Sequence, residues 1–443
     1  MRYLRYLFLS ILCLGLLNAC TETTVPSATA TATAQAANNQ CTSIGKTHTA
    51  LAPTLWPNTQ GDWPLFHGNL QRTGSAPTTH GSMLTMAWSY CTGGSLSSSP
   101  VVHNGIVYIG SLDKTLTALT IHTGNVLWQV HADDGFYSTP AIQNGVIYAA
   151  SLKSLYAIDA QTGRVFWHRP VETTGGKFWS SPVVLDGLVL LGMASNLSEH
   201  PKIAGRVLAF DALTGNVRWR TYTSLNASPG SGVWSSPAID ETLGVVYVAT
   251  GDPDDGVQAL ALRDGHLLWH WRSVVQDVSD TDIGAGPTLY TNQLGKMRVA
   301  VGGKNGSIYS LDGQSGHVVW QQQVGQHVFS SPAFANGILY AVGAIGSKSA
   351  SSWAFDAQTG AVRWHHAILI MTYASPAISG SALYLPIGNG FTLGDGGIEV
   401  INTTNGQVLQ SVDLHSTTNS SPALLPSWLF VGARDGNLYA LTH

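Results

Sequence analysis

The chain has 443 residues, yet only 10% of them are charged, where soluble domains carry about a quarter. A net charge of −4 gives no reason to expect nucleic acid as a partner. Glycine (48) and tryptophan (14) are abundant while helix-period stretches are few, which argues against a helical or α/β fold.

In chain order, the first element is a targeting segment. Arg2 and Arg5 flank an apolar run from Leu7 to Leu17, which ends at Leu17-Asn18-Ala19-Cys20. A basic start, a short apolar core and a small residue before the cut describe a secretory signal over residues 1–19. The run is too short for a permanent membrane helix. Its Leu-x-Ala-Cys ending resembles the lipobox of bacterial lipoproteins, which implies that Cys20 is acylated and that the protein works outside the cytoplasm, anchored by lipid. Residues 20–60 then read as a tether, since Thr21 to Asn39 is almost entirely Thr, Ala, Ser, Gln and Asn and cannot bury a core. Cys13 leaves with the signal and Cys20 takes lipid, so Cys41 and Cys91 remain, an even pair that reads as a disulfide in an oxidising compartment.

Beyond the tether the chain repeats. A Ser-Pro-like step recurs at Pro100, Pro140, Pro182, Pro237, Pro287, Pro332, Pro376 and Pro422, at intervals of 40 to 55 residues. Each interval fits one four-stranded propeller blade. The order inside a unit is constant: Ser-Pro, a strand, an Asn-Gly-type turn, a strand with Tyr, a third strand, a Thr-Gly turn, and a strand ending in Trp. That tryptophan is Trp128, Trp167, Trp219, Trp269, Trp320 and Trp364, placed to pack between neighbouring blades. The seventh unit has Gln410 instead, and the eighth stops at Leu441-Thr-His443 before its fourth strand. A stray strand at Met83–Tyr90, carrying Trp88, precedes the first Ser-Pro. It supplies the missing strand and closes the ring, so residues 61–443 form an all-β, eight-bladed propeller without an open edge.

These units, with their Ala-x-Asp-x-x-Thr-Gly-x-x-x-Trp core, resemble the repeats of proteins that hold pyrroloquinoline quinone (PQQ). Trp63-Pro-Leu-Phe-His-Gly-Asn-Leu-Gln-Arg-Thr-Gly74 resembles the motif that opens that family's propeller. The likeness speaks for the fold and less for the activity, because one fold hosts unrelated functions.

Strand order separates the two ends of such a ring. The uniform turns share one end; the longer loops share the other, with insertions at Ser195–Ala204 and Asp252–Gly256, and that end is the expected site. Three residues before the repeating proline stand Tyr137, Trp179, Trp234, Phe329 and Tyr373, a stacking surface at the channel; blade five has Gly284 there, leaving room for a small substrate. Gly232-Val-Trp-Ser-Ser-Pro-Ala-Ile-Asp240 and Val246-Tyr-Val-Ala-Thr-Gly-Asp252 resemble quinoprotein alcohol dehydrogenases, especially the polyvinyl-alcohol dehydrogenase branch. The resemblance implies a cofactor-stacking Trp234 with Trp179 beside it, a calcium site at Asp252 and Glu199, a catalytic base at Asp282 within Asp280-Thr-Asp282-Ile-Gly, and a quinone-contacting Lys304. PQQ and Ca²⁺ are the implied cofactors, a small alcohol the substrate, and the electron acceptor is unnamed.

Other features point elsewhere. There is no adjacent Cys-Cys pair and no Cys-x-x-Cys-His for an attached haem. A lipid-anchored eight-bladed propeller also resembles the scaffold lipoprotein of the outer-membrane β-barrel assembly machinery, which binds a membrane protein partner and catalyses nothing. His266/His270 and His365-His366 form no zinc spacing.

Overall fold

The low charge has a structural cause. In a computed structural model of the chain, the second and third strands of each blade are buried along nearly their whole length, as in Val146–Ala150 and Ser154–Asp159. Only the outer strand alternates between exposed and covered positions, as in Val217–Tyr222. Strands covered on both faces read as continuous apolar runs and leave few places for charge. The structure describes residues 61–76, 83–195, 202–273, 282–346, 349–369, 372–388 and 396–442. The signal segment, Cys20, the tether with Cys41, Glu199 and Asp280 lie outside the described residues. Among the described residues, no helix is long and apolar enough to cross a membrane.

Eight four-stranded antiparallel sheets form the eight blades of the propeller. Seven are continuous in sequence. The eighth combines Ala423–Leu425, Trp428–Gly432 and Asn437–Thr442 with the N-terminal strand Thr85–Cys91, which pairs with Asn437–Thr442 in antiparallel register. The ring is therefore closed by the strand expected to close it. Cys91, at the end of that strand, is disulfide-bonded.

Local turn chemistry accounts for the uniform end. Asn104-Gly105, Asn144-Gly145 and Asn336-Gly337 hold φ of 50° to 52° at Asn and 75° to 76° at Gly, the double left-handed conformation of a tight hairpin. At the other turn, the Asp159 carboxylate accepts bonds from the Thr162 amide and hydroxyl, both at 2.8 Å. Asp211 treats Thr214 the same way, and these bonds hold its carboxyl below the usual range.

The glycine after that threonine completes the seam between blades. The Trp128 indole N–H donates to Ala160 O at 3.0 Å, and its ring lies on Gly163, where an added Cβ would sit 2.7 Å from it. The arrangement repeats from Trp167 to Ala212, Trp219 to Leu262, Trp269 to Gly313, Trp320 to Ala357 and Trp364 to Thr403. Trp88 makes the matching bond to Ile121 O at 2.9 Å and packs on Gly124. Gln410 is the exception because the blade it faces has no third-to-fourth turn: its third and fourth strands come from opposite ends of the propeller segment. Its side chain instead bonds the backbone of Leu84 twice, accepting from N–H at 2.6 Å and donating to O at 2.8 Å.

Two further rings define the channel. Residues before the repeating proline link blade to blade: Ser99 N–H donates to Thr139 Oγ1, Thr139 to Ser181 and Ser181 to Ser236. The series resumes from Gly286 to Ser331, then Ser375, Ser421 and back to Ser99. Gly286 has no hydroxyl to offer Ser236, so the ring is interrupted between blades four and five. At the turn end, residues 61–76 run beneath the channel, exchanging backbone bonds with the first strands at Val102, Ile142, Ile239, Leu289, Phe334 and Ile378. Arg72, fully buried, donates to Pro237 O at 2.9 Å and Phe66 O at 2.7 Å, and burial lowers it to about 9.

Candidate functional site

The loop end of the channel carries a series of rings. Tyr137 meets Trp179 at 4.9 Å between centroids, and Trp179 meets Trp234 at 5.8 Å. On the far side Phe329 meets Tyr373 at 4.7 Å. Gly284 stands between Trp234 and Phe329, and an added Cβ there would find nothing nearer than Lys304 Cε and Cγ at 4.0 Å. That vacancy opens a cavity of about 360 Å³ lined by Trp234, Asp252, Asp282, Gly284, Lys304 and Phe329, with loop residues Lys202 and Ile203. Trp234, Gly284 and Phe329 also line the hydroxyl-ringed channel below, so the two spaces adjoin.

Four of the residues singled out in the sequence therefore converge. Trp179 lies one ring further round, backing Trp234 rather than lining the cavity. The segment after Thr250 places Asp252, and the segment entering blade five places Asp282. Asp282 Oδ1 accepts the Asp252 amide at 2.7 Å, and Oδ2 is paired with Lys304 Nζ. Lys304 is fixed at both ends, because its amide donates to Asp282 O at 2.9 Å and its carbonyl accepts from His327 Nδ1 at 2.6 Å. Gly251 is required where it stands: an added Cβ would fall 2.5 Å from Asp282 Oδ1 and 3.2 Å from Trp234 Nε1.

The sequence reading left one participant out. Carboxylate oxygens of Asp252, Asp255 and Asp282 lie within 4.8 Å of one another, and Asp255 is completely buried. Asp252 to Asp255 reads as an ordinary acidic turn; its run of three carboxylates around Pro253 was the available signal. Three hard oxygen donors suit Ca²⁺, and Lys304 is paired with one of them, Asp282.

Sequence comparison bears on the same chain. A family model described as outer membrane protein assembly factor BamB, a PQQ-repeat model, matches residues 82–252, 171–279 and 253–440. The chain belongs to the PQQ-repeat family. A polyvinylalcohol dehydrogenase from Pseudomonas sp is 26% identical to this PQQ-repeat chain over 300 residues, covering 54% of the chain and 47% of that protein. The chain spans about half the length of the curated dehydrogenases it matches. Among solved structures, quinohemoprotein alcohol dehydrogenase ADHIIG from Pseudomonas putida HK5 superposes with a TM-score of 0.75 at 16% identity, covering 86% of this chain and 80% of that one. BamB from Moraxella catarrhalis gives 0.65 at 16% identity, covering 82% of this chain and 100% of that one. At such identities the superpositions speak for the fold alone.

Proposed function

We propose that this propeller is an extracytoplasmic quinoprotein that oxidises a small alcohol, with PQQ and Ca²⁺ held at the loop end of the channel. The observation that carries the reading is the convergence of Trp234, Asp252, Asp282 and Lys304 on one cavity beside Gly284. The residues present fit the implied cofactors. Trp234 offers a flat face for a planar ring system, and Asp252, Asp255 and Asp282 offer hard oxygens to a divalent ion. PQQ, when bound, supplies the two-electron acceptor for the alcohol's hydride.

The chain's own part is positioning and proton transfer. Asp282 accepts the hydroxyl proton of the alcohol; each of its oxygens has a lone pair beyond the bond already made to Asp252 or Lys304. Lys304 pairs with Asp282 and directs it, and brings positive charge to the cavity where negative charge develops. Trp234 sets the plane against which the ligand lies. Gly284 leaves the opening through which the alcohol approaches. Glu199, implied as a second calcium ligand, enters the proposal on the resemblance alone.

A second reading is a scaffold that binds a membrane protein partner through its loops. The family model's description favours it. Reconstitution separates the two. Purified protein is mixed with PQQ and Ca²⁺ and assayed with primary and secondary alcohols and an artificial electron acceptor. Saturable PQQ binding with dye reduction is expected; Asp282→Asn should abolish turnover and keep binding, and Trp234→Ala should weaken binding itself. No PQQ binding at micromolar concentration would discard the enzyme reading in favour of the scaffold.

A further inference from the structure

Four aspartates stand in this region, Asp252 and Asp282 on the cavity wall with Asp254 and Asp255 following Asp252 in the chain, but they are not equivalent. Asp252, Asp255 and Asp282 turn oxygens toward one another, whereas Asp254, between the first two in sequence, is not part of that cluster. Its carboxylate is occupied from the other side. Oδ2 accepts the Thr250 hydroxyl at 2.9 Å and the Gln258 amide at 3.2 Å, and Oδ1 lies 3.0 Å from His270 Nε2. Gln258 is tied in turn to Thr223 O of blade three at 2.7 Å.

The same outer strand of blade four grips the backbone of the loop. Arg272 donates through Nε to Asp254 O at 3.1 Å and through Nη2 to Pro253 O at 2.6 Å. Ser273 donates its amide and its hydroxyl to Asp255 O at 2.9 and 2.8 Å. Asp255 holds φ at 44°, a left-handed conformation that a non-glycine residue keeps only when its surroundings fix it.

We infer that Asp254, His270 and Arg272 form a clamp that presets Asp252 and Asp255 for a divalent cation, with Asp254 serving as anchor and not as ligand. The inference rests on the metal site of the proposed function and deepens it. His270 and Arg272 are positioning residues. They touch no ligand, but they stop the loop from relaxing when three carboxylates are brought together without an ion. Partners behind metal ligands typically set affinity by roughly 10- to 100-fold. The clamp also accounts for His270, whose spacing in the sequence matched no metal motif.

The test uses Tb³⁺ as the probe, in the full-length protein without quinone. Trp234 lies beside Asp282, so indole excitation should sensitise emission from an ion held there, and Ca²⁺ should compete it away. His270 and Arg272 sit on the outer strand with side chains 29% and 40% exposed, so replacing them leaves no closed cavity. His270→Leu should weaken Tb³⁺ binding roughly 10-fold or more, while the melting temperature in chelator stays at the wild-type value. His270→Gln, which returns an N–H donor of similar reach, should restore affinity; a purely structural role would move the melting temperature instead. Wild-type affinity in His270→Leu, with weakened binding in Asp252→Asn, would overturn the clamp and leave the metal reading standing. Absence of saturable emission in the wild type, or emission unchanged in Asp252→Asn, would overturn both.

Discussion

Gln410 offers a sharp test of how the ring is held shut. It occupies the position where the seven other blades carry an outer-strand tryptophan, and its two bonds to Leu84 fix the start of the closing strand. Two net hydrogen bonds are worth about 1–3 kcal/mol together, so Gln410→Ala should cost that much. By comparison, Trp320→Ala, which empties an ordinary seam, should cost about 3–5 kcal/mol. In a chain of this length the smaller loss moves Tm by only a few degrees, so urea midpoints and amide exchange over Thr85–Cys91 are the better assays. Exchange in that strand should accelerate while the other seams keep their protection. The opposite substitution, Gln410→Trp, restores the repeat consensus yet finds no turn glycine to lie on, so it should stabilise nothing. A higher urea midpoint for Gln410→Trp, or unchanged exchange for Gln410→Ala, would refute the account of this seam.

Further expectations concern acid stability, the cavity and the chain's N-terminal part. Burial lowers His67 from 6.5 to about 4, so between those values the unfolded chain takes up a proton that the folded chain refuses. Stability should therefore be full above about pH 6.5 and fall by up to roughly 3 kcal/mol as pH drops toward 4, at 1.36 kcal/mol per pH unit. His67→Gln should flatten that slope in urea titrations, and an unchanged slope would assign the loss to other groups. Gly284→Phe should fill the gap between Trp234 and Phe329, leave melting unaltered and eliminate PQQ quenching of tryptophan fluorescence; undiminished quenching would place the cofactor elsewhere. Peptide mapping without reductant should recover Cys41 linked to Cys91, and finding Cys91 joined to another cysteine would reject that pairing. Cys20→Ser should shift the protein from the membrane to the soluble fraction, and its retention with membranes would rule out the lipid anchor.

The fold was legible because its information is periodic. The prolines counted the blades, and the tryptophans marked the outer strands. Trp88 stood out as a tryptophan with no Ser-Pro before it, which revealed the closing strand. What stayed hidden depends on partners far apart in the chain. The serines before the prolines are visible as a motif, but their bonds join blades some 40 residues apart, as from Ser331 to Ser375, and leave no local pattern. Arg72 reaches Pro237 across 165 residues. Trp234, Asp282 and Lys304 could be singled out because family motifs surround them. Asp254 could not be told from Asp255, since their different duties depend on which way each side chain turns.

The shared eighth blade has a consequence for biogenesis. Thr85–Cys91 emerges early from the ribosome or the export channel, but its partner Asn437–Thr442 is the last of the propeller's strands to be made. Joining ends so far apart costs an entropy of about 5 kcal/mol by the (3/2)RT ln n relation, beyond a constant, before any contact compensates. Until then the chain presents two raw strand edges, each able to pair with another molecule. Seven finished blades are still an open clasp, and one late strand pairing decides whether the product is a single ring or a polymer.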